Sequence, residues 1–202
     1  MLAAQADGYV TAEMDTIGMV HGDTHREFTG RTTLLDDDLV PYSEAEQRQR
    51  AAWQTCPEFL DWLGAEPAEL ARLVEETPGL AALDDPWTVP GLALIEQAAF
   101  TAFPQVTKSA TSEQMALLDR MARGIGHIFL QAFGEGKWVW VQTLYENPPG
   151  PALEIPKSPE WINPGSLLRG ALRQRNGGVL ADLLRRNIEA HREWLASDFN
   201  QS

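Results

Sequence analysis

The chain lacks the cysteines on which many secreted proteins depend. Cys56 is the one cysteine among 202 residues, so no disulfide can form within the chain. We therefore exclude a disulfide-built scaffold and expect a reducing compartment. The first residues lack the basic and apolar segments of a secretory signal, and no apolar run has the roughly 18 residues of a membrane span. We expect a soluble, cytoplasmic protein without membrane contact.

Basic residues are scarce in the first half of the chain. Residues 1–100 carry 19 Asp and Glu against 5 Lys and Arg, a net charge of −14, whereas residues 101–202 carry 10 against 11, a net charge of +1. An acidic surface repels nucleic acid and anionic membranes and attracts basic partners. The alternative interpretation is that the charge serves solubility alone.

Motifs for cofactors and nucleophilic catalysis are also missing. The chain has no phosphate-binding loop, no dinucleotide-binding glycine pattern, no nucleophile elbow and no zinc-ligand spacing, so we expect no cofactor. Five residues, His21-Gly22-Asp23-Thr24-His25, could carry chemistry. On a helix, His21 and His25 would share one face and could bind a transition metal together with Asp23. A polar surface turn is the alternative.

The same five residues resemble two families of enzymes in part. His21-Gly22-Asp23 resembles the catalytic-loop tripeptide of aminoglycoside-phosphotransferase-like kinases, but Phe28 stands where those kinases need asparagine. The overlapping stretch Gly22-Asp23-Thr24-His25 resembles a metallophosphoesterase motif, but the further ligand clusters of that fold are missing. A metal-dependent hydrolase or phosphotransfer-like enzyme using His21, Asp23 and His25 is therefore an alternative function, and a non-enzymatic function is favoured.

Helical signals begin after residue 42. Ser43, followed three residues later by Glu46, has the pattern of a capping box and predicts a helix start. Pro57 and Pro67 each suit the first turn of a helix. We therefore expect a helix from Ser43 to about Gln54. Two short helices should follow it, one from Pro57 to Gly64 and one beginning at Pro67.

Two longer helices are expected downstream. Thr88 predicts one N-cap, for a helix with a regular apolar face made of Leu92, Ile95, Ala99 and Phe103. Ser112 predicts the N-cap of the longest helix, which Gly134 ends. Gly124 and Gly126 lie inside this helix, where glycine is costly, so they mark close packing or a bend.

Aromatic and β-branched residues indicate a hairpin in the last third. Residues 137–145 include Trp138 and Trp140 and are apolar on both faces, which favours a central strand packed between helices. Residues 152–155 form the returning strand. Asn163 followed by Pro164 predicts the start of the next helix, and a last helix follows. These signals predict an α+β fold, mainly helical, with a small antiparallel sheet that includes a hairpin near residues 137–156.

The organisation expected is a single domain, residues 1–202. Its parts are an irregular or extended segment at 1–40, a helical part at 43–134, and a hairpin with two helices at 137–196. His127, His191 and Cys56 are predicted to be packed structural residues.

A modest basic cluster lies in the last two predicted helices and comprises Arg169, Arg173, Arg175, Arg185 and Arg186. It either balances the acidic half of the chain or binds a phosphate-bearing ligand.

The second half, residues 85–195, resembles uncharacterised bacterial proteins, mainly from actinobacteria. The residues that carry the resemblance are Trp87, Gly91-Leu92, Gly126, Gly136-Lys137-Trp138-Val139, Pro164 and Leu167. Several related groups lie beside secreted polymorphic toxins, which implies an immunity or accessory role. The resemblance brings no catalytic residues with it.

These observations favour a protein-interaction module, an immunity-type inhibitor that binds a basic toxin through acidic surface. Direct nucleic-acid binding is not expected. A DNA mimic is a further alternative and requires rows of carboxylates at phosphate-like spacing. The predicted partner-binding residues are Asp36, Asp37, Asp38, Glu44, Glu58, Asp61, Glu69 and Glu75.

Overall fold

A computed structural model describes residues 43–104, 110–142, 149–156 and 161–196. All described residues belong to one compact unit, Tyr42–Ser202. The predicted irregular segment at 1–40 lies outside the described residues. The elements, in chain order, are α1 (Glu44–Trp53), α2 (Pro57–Glu76), a 3₁₀ turn (Leu80–Ala82), α3 (Val89–Ala102), α4 (Ser112–Phe133), β1 (Lys137–Val141), β2 (Gly150–Glu154), β3 (Trp161–Ile162), α5 (Pro164–Gln174) and α6 (Val179–Ala196).

This architecture confirms the predicted α+β class, mainly helical with a small antiparallel sheet. No helix in the described part of the chain is both long and apolar enough to cross a membrane. The core is formed by residues of α2 to α6, the 3₁₀ turn and the sheet. Its largest fully buried side chains are Leu73, Leu80, Leu92, Ile95, Ile125, Ile128, Phe129, Leu153, Ile155, Leu168, Leu180 and Leu184.

Local capping sets several helix ends. Ser43 caps α1 in a complete capping box with Glu46, as its spacing predicts. Asn163 accepts from the Ser166 amide at the start of α5, with Pro164 in the first turn. Gly134 ends α4 in the left-handed conformation, at φ 72°. The cap of α4 is Thr111, one residue before the predicted Ser112, because Thr111 and Gln114 bond to each other reciprocally.

The prediction of two short helices between residues 57 and 76 is wrong. α2 is one continuous helix of 20 residues that passes through both Gly64 and Pro67. Pro67 has no amide to donate to the carbonyl one turn before it. Packing compensates for this local cost, since the inner face of α2 lies against α4 and buries Phe59, Leu70 and Leu73.

The sheet has the order β1-β2-β3, with both neighbouring pairs antiparallel. Among the described residues, β1 is therefore an edge strand, and the prediction that it is a central strand is wrong for this sheet. The side-chain amide of Gln54 closes this edge, donating to the Trp140 carbonyl at 2.7 Å and accepting from the Trp140 amide at 3.0 Å. Gln54 thus replaces a neighbouring strand at one residue, which satisfies backbone groups that a lone edge would leave open.

Two glycines inside α4 mark close packing. A Cβ on Gly124 would overlap the Leu73 side chain of α2, and a Cβ on Gly126 would overlap the Trp138 ring of β1. The same position on Gly126 would lie 3.2 Å from Pro164 Cγ. Gly126, Trp138 and Pro164 all carry the resemblance noted in the sequence, and in this fold they pack against one another.

The Gly126→Ala substitution is therefore expected to destabilise the protein. Trp138 cannot swing away easily, because it is 8% exposed and its indole N–H donates to Glu66 at 2.8 Å. Overpacking costs about 1–3 kcal/mol, which exceeds the roughly 1 kcal/mol that alanine gains over glycine in a helix. The measurement is the free energy of unfolding in urea.

Gly170→Ala in α5 is the matched control, since nothing lies within 4 Å of the added methyl group. It should leave the free energy of unfolding unchanged or raise it by up to about 1 kcal/mol. Equal stabilisation by both substitutions would show that the Gly126–Trp138 contact is not tight.

Candidate interaction surface

α2 presents two chemically different faces. Its inner face packs on α4 and carries Trp62, Glu66 and Glu69 in helical register with the buried Phe59 and Leu73. Carboxylates at such positions need partners, since a lone buried charge is strongly unfavourable. The outer face carries the remaining acidic residues and is exposed to solvent.

Arg120 of α4 pairs with Glu69 on the inner face and with Glu76 at the end of α2. The Arg120 side chain is 7% exposed and donates from Nε to Glu69 at 2.7 Å and from Nη1 to Glu76 at 2.5 Å. The hydrogen bond from Arg120 holds the pKa of the Glu69 carboxyl below its usual value. The buried Arg120 is stable here because its charge is paired with, and hydrogen-bonded to, two carboxylates.

Arg123, one turn further along α4, is buried in a second network. Its Nε donates to Asp119 at 2.8 Å, and its Nη1 donates to the Trp62 carbonyl at 2.7 Å. The guanidinium also lies 3.8 Å from the centroid of the Trp62 ring, a cation–π contact. The Trp62 indole N–H donates to Asp119 at 2.8 Å and closes the network. These contacts fix how α2 lies on α4.

The outer face of α2 is the strongest candidate for a functional surface. We define the α2 surface by seven exposed residues, namely Glu58, Leu60, Asp61, Gly64, Ala68, Ala71 and Glu75. The three carboxylates have no ion-pair partner among the described residues, and Arg72, the exposed cation of the same helix, pairs with Glu76 at 3.2 Å. Leu60 is 52% exposed, which is high for a large apolar side chain. Acidic groups, one apolar anchor and small residues thus share the exposed part of one helix.

The predicted partner-binding residues fall into separate places. Glu58, Asp61 and Glu75 lie together on the α2 surface. Glu44 lies at the start of α1 and forms a 3.3 Å ion pair with Arg48. Glu69 points to the inside of the fold, toward Arg120. The other three, Asp36, Asp37 and Asp38, lie outside the described residues.

The candidate metal residues His21, Asp23 and His25 also lie outside the described residues. Within the described ranges, no group of three or more histidine, cysteine or acidic side chains is arranged to hold a metal ion. His127 is half-buried and meets the Trp87 ring edge-on, with centroids 5.0 Å apart. Cys56 is half-buried at the start of α2 and packs against the core.

Among the described residues, side chains of residues 43–100 and of residues 101–196 cap one another's helices. Glu96 of α3 is 2% exposed and accepts from the amides of Gly178 and Leu180, so it caps the start of α6. Arg175 follows α5 and donates to the carbonyls of Phe100 and Phe103 at the end of α3. Arg175 therefore belongs to a helix cap and not to an open basic cluster.

The sequence-based interpretation missed Arg120 and Arg123 as structural residues. A signal was present, because Phe59, Trp62, Glu66, Glu69 and Leu73 recur at steps of three and four residues along one helical face. Dividing α2 at Gly64 and Pro67 hides this recurrence. With a continuous helix, two carboxylates on an apolar face require buried donors; Arg120 of α4 supplies one to Glu69, and the Trp138 indole N–H supplies one to Glu66.

The pairing of Glu69 predicts a pH dependence of stability. Its pKa is lowered in the folded state, so its contribution is complete above its ordinary value of 4.5 and is lost as the pH falls through the lower, folded pKa. Glu69→Gln should lower the free energy of unfolding at pH 7 by about 1–2 kcal/mol. The difference in free energy of unfolding between wild type and Glu69→Gln should narrow as the pH falls below 4.5, because Glu69 then becomes protonated in the wild type.

Urea titrations between neutral and acidic pH measure this difference. Glu75→Gln is the control, because Glu75 is exposed on the same helix and its removal should change stability by less than about 0.5 kcal/mol. The prediction is contradicted if the difference in free energy of unfolding between wild type and Glu69→Gln stays constant with pH.

No protein-family model, curated protein or solved structure matches the chain. The case for the α2 surface therefore depends on its own geometry and charges.

Proposed function

We propose that the protein is a protein-interaction module of the immunity type, which binds and inhibits a basic partner, a toxin, through the α2 surface. The observation that carries this proposal is the division of the carboxylates of α2. Glu69 and Glu76 are engaged by Arg120, whereas Glu58, Asp61 and Glu75 face solvent without an ion-pair partner among the described residues.

The shape of the α2 surface supports a protein as the ligand. Glu58 and Glu75 are 17 positions apart on one helix, a span of about 26 Å at 1.5 Å per residue. Gly64, Ala68 and Ala71 lie between them and leave the helix backbone accessible to a partner. Leu60 supplies an apolar contact beside two carboxylates. An elongated face of this kind suits a protein chain better than a small molecule.

The electrostatics favour a basic partner. Unpaired charges of one sign raise the rate at which an oppositely charged protein associates, by roughly ten- to a thousandfold at low salt. A toxin that acts on nucleic acid is commonly basic, so an acidic inhibitor gains both rate and selectivity. The resemblance to proteins encoded beside polymorphic toxins agrees with this role. None of its residues lies on the α2 surface, so the resemblance does not test this surface.

Neutralising the α2 surface should weaken association with the partner. The variant is Glu58→Gln/Asp61→Asn/Glu75→Gln, and the partner sought is the toxin whose gene is expected beside this one. We expect association to slow about tenfold at low ionic strength. The difference should disappear near 1 M salt, where the screening length is about 3 Å. Stopped-flow or surface-plasmon measurements at several salt concentrations give the association rate of each variant and its dependence on salt.

The control removes the same charge from exposed residues elsewhere, as Asp84→Asn/Glu113→Gln/Glu193→Gln. This control should associate at the wild-type rate within about twofold. Co-expression adds a cellular readout, since wild type should protect cells from the toxin and the α2 variant should protect them less. The proposal is wrong if both triple variants behave alike, or if no toxin gene lies beside this one.

A further inference from the structure

We propose that a groove along α6 is the interface between two copies of this chain. The groove lies between α6, the start of α3 and the end of α4, and its volume is about 430 Å³. We define the α6 groove by the residues that line it, namely Val89, Ala132, Ala181, Asp182, Leu184, Arg185, Ile188, Glu189 and Arg192.

The floor of the α6 groove is apolar and partly open to solvent. It is formed by Val89, Ala132, Ala181, Leu184 and Ile188. Val89 is 50% exposed, although it stands at the start of a helix that buries Leu92 and Ile95 completely. Ala132 is exposed as well, and Ile188 is only half-buried. Covering this floor would remove apolar surface from water, which is the main driving force for association.

The rim of the α6 groove identifies the partner. Along α6, the charges of the rim read Asp182, Arg185, Glu189 and Arg192, so the signs are minus, plus, minus, plus. This order becomes complementary to itself when a second α6 runs antiparallel. With a two-fold axis near residue 187, Asp182 faces Arg192 of the second copy, and Arg185 faces its Glu189.

The ion pairs already present in one chain leave this arrangement possible. Arg185 lies 2.7 Å from Asp182 of its own helix, and both side chains are more than half exposed. Glu189 and Arg192 have no ion-pair partner among the described residues. The two-fold axis would thus add a partner for each of these two charges. Isologous pairing of this kind is the commonest form of protein dimer.

The α6 groove and the α2 surface differ in their charges. All three charged groups of the α2 surface are carboxylates, which would repel the same surface of a second copy, so the α2 surface does not fit self-association. The α6 groove carries two charges of each sign and an apolar floor, which suits another α6 groove. A strongly charged partner of either sign would meet like charges on this rim.

Single charge reversals test the interface. Wild type should sediment with twice the 22.4 kDa mass of the chain at about 100 µM. Arg192→Glu places a new carboxylate of one copy against Asp182 of the other, and Asp182→Lys places two cations together. Each variant alone should dissociate at least tenfold more readily. Val89→Glu should have the same effect, because it puts a charge on the apolar floor.

Mixing the two charge variants makes the test specific. An equimolar mixture of Arg192→Glu and Asp182→Lys should form a heterodimer, since every facing pair then has opposite signs. Circular dichroism and unfolding temperatures verify that each variant is folded, and Arg173→Glu, a reversal on the exposed side of α5, is the control that should stay dimeric. A monomeric wild type overturns the proposal, as do folded single variants that remain dimers or a mixture that remains monomeric.

Discussion

The arrangement of this protein depends on two buried arginines of α4. Arg120 and Arg123 are 6% and 3% exposed, and neither can stay charged inside the fold without partners. On α2, Glu69 and Glu76 accept from Arg120 and the Trp62 carbonyl accepts from Arg123, which also pairs with Asp119 of its own helix. These bonds fix the rotation of α2 about its axis. The rotation in turn decides which carboxylates turn inward and which form the α2 surface.

The same principle links the other ends of the fold. Glu96 of α3 caps α6, and Arg175, which follows α5, caps α3, so charged side chains satisfy helix termini that lie 72 to 84 residues away in sequence. Within the described residues, the parts that come from the acidic first half and from the near-neutral second half are therefore not separate layers. Part of the negative charge of residues 1–100 is paired within the fold, as Glu69 is with Arg120 and Glu96 is with the amides that begin α6. Only the other acidic residues can contact a partner.

Sequence reasoning succeeded where the determining contacts are local. The capping box at Ser43, the start of α5 at Asn163 and the left-handed Gly134 depend on residues within one turn of each other. It failed where contacts far apart in sequence prevail. Pro67 predicts a break, yet packing on α4 keeps α2 continuous. The edge position of β1 could not be foreseen, because the group that closes it, Gln54, lies 86 residues before Trp140. Of the residues predicted to bind a partner, Glu58, Asp61 and Glu75 are exposed on α2, whereas Glu69 points inward toward Arg120, which its sequence neighbourhood did not indicate.

Two surfaces of opposite character result from one distribution of charge. On α2, Arg120 of α4 pairs with Glu69 and Glu76, whereas Glu58, Asp61 and Glu75 remain exposed and give the α2 surface a single sign. On α6, acidic and basic residues alternate along the rim, and two of the four neutralise each other within the helix. A surface of one sign selects a different molecule of opposite charge, whereas an alternating surface selects its own copy. The residues that line the α6 groove include none of α2, so the proposed pairing through α6 would leave the α2 surface of each copy accessible to the proposed partner.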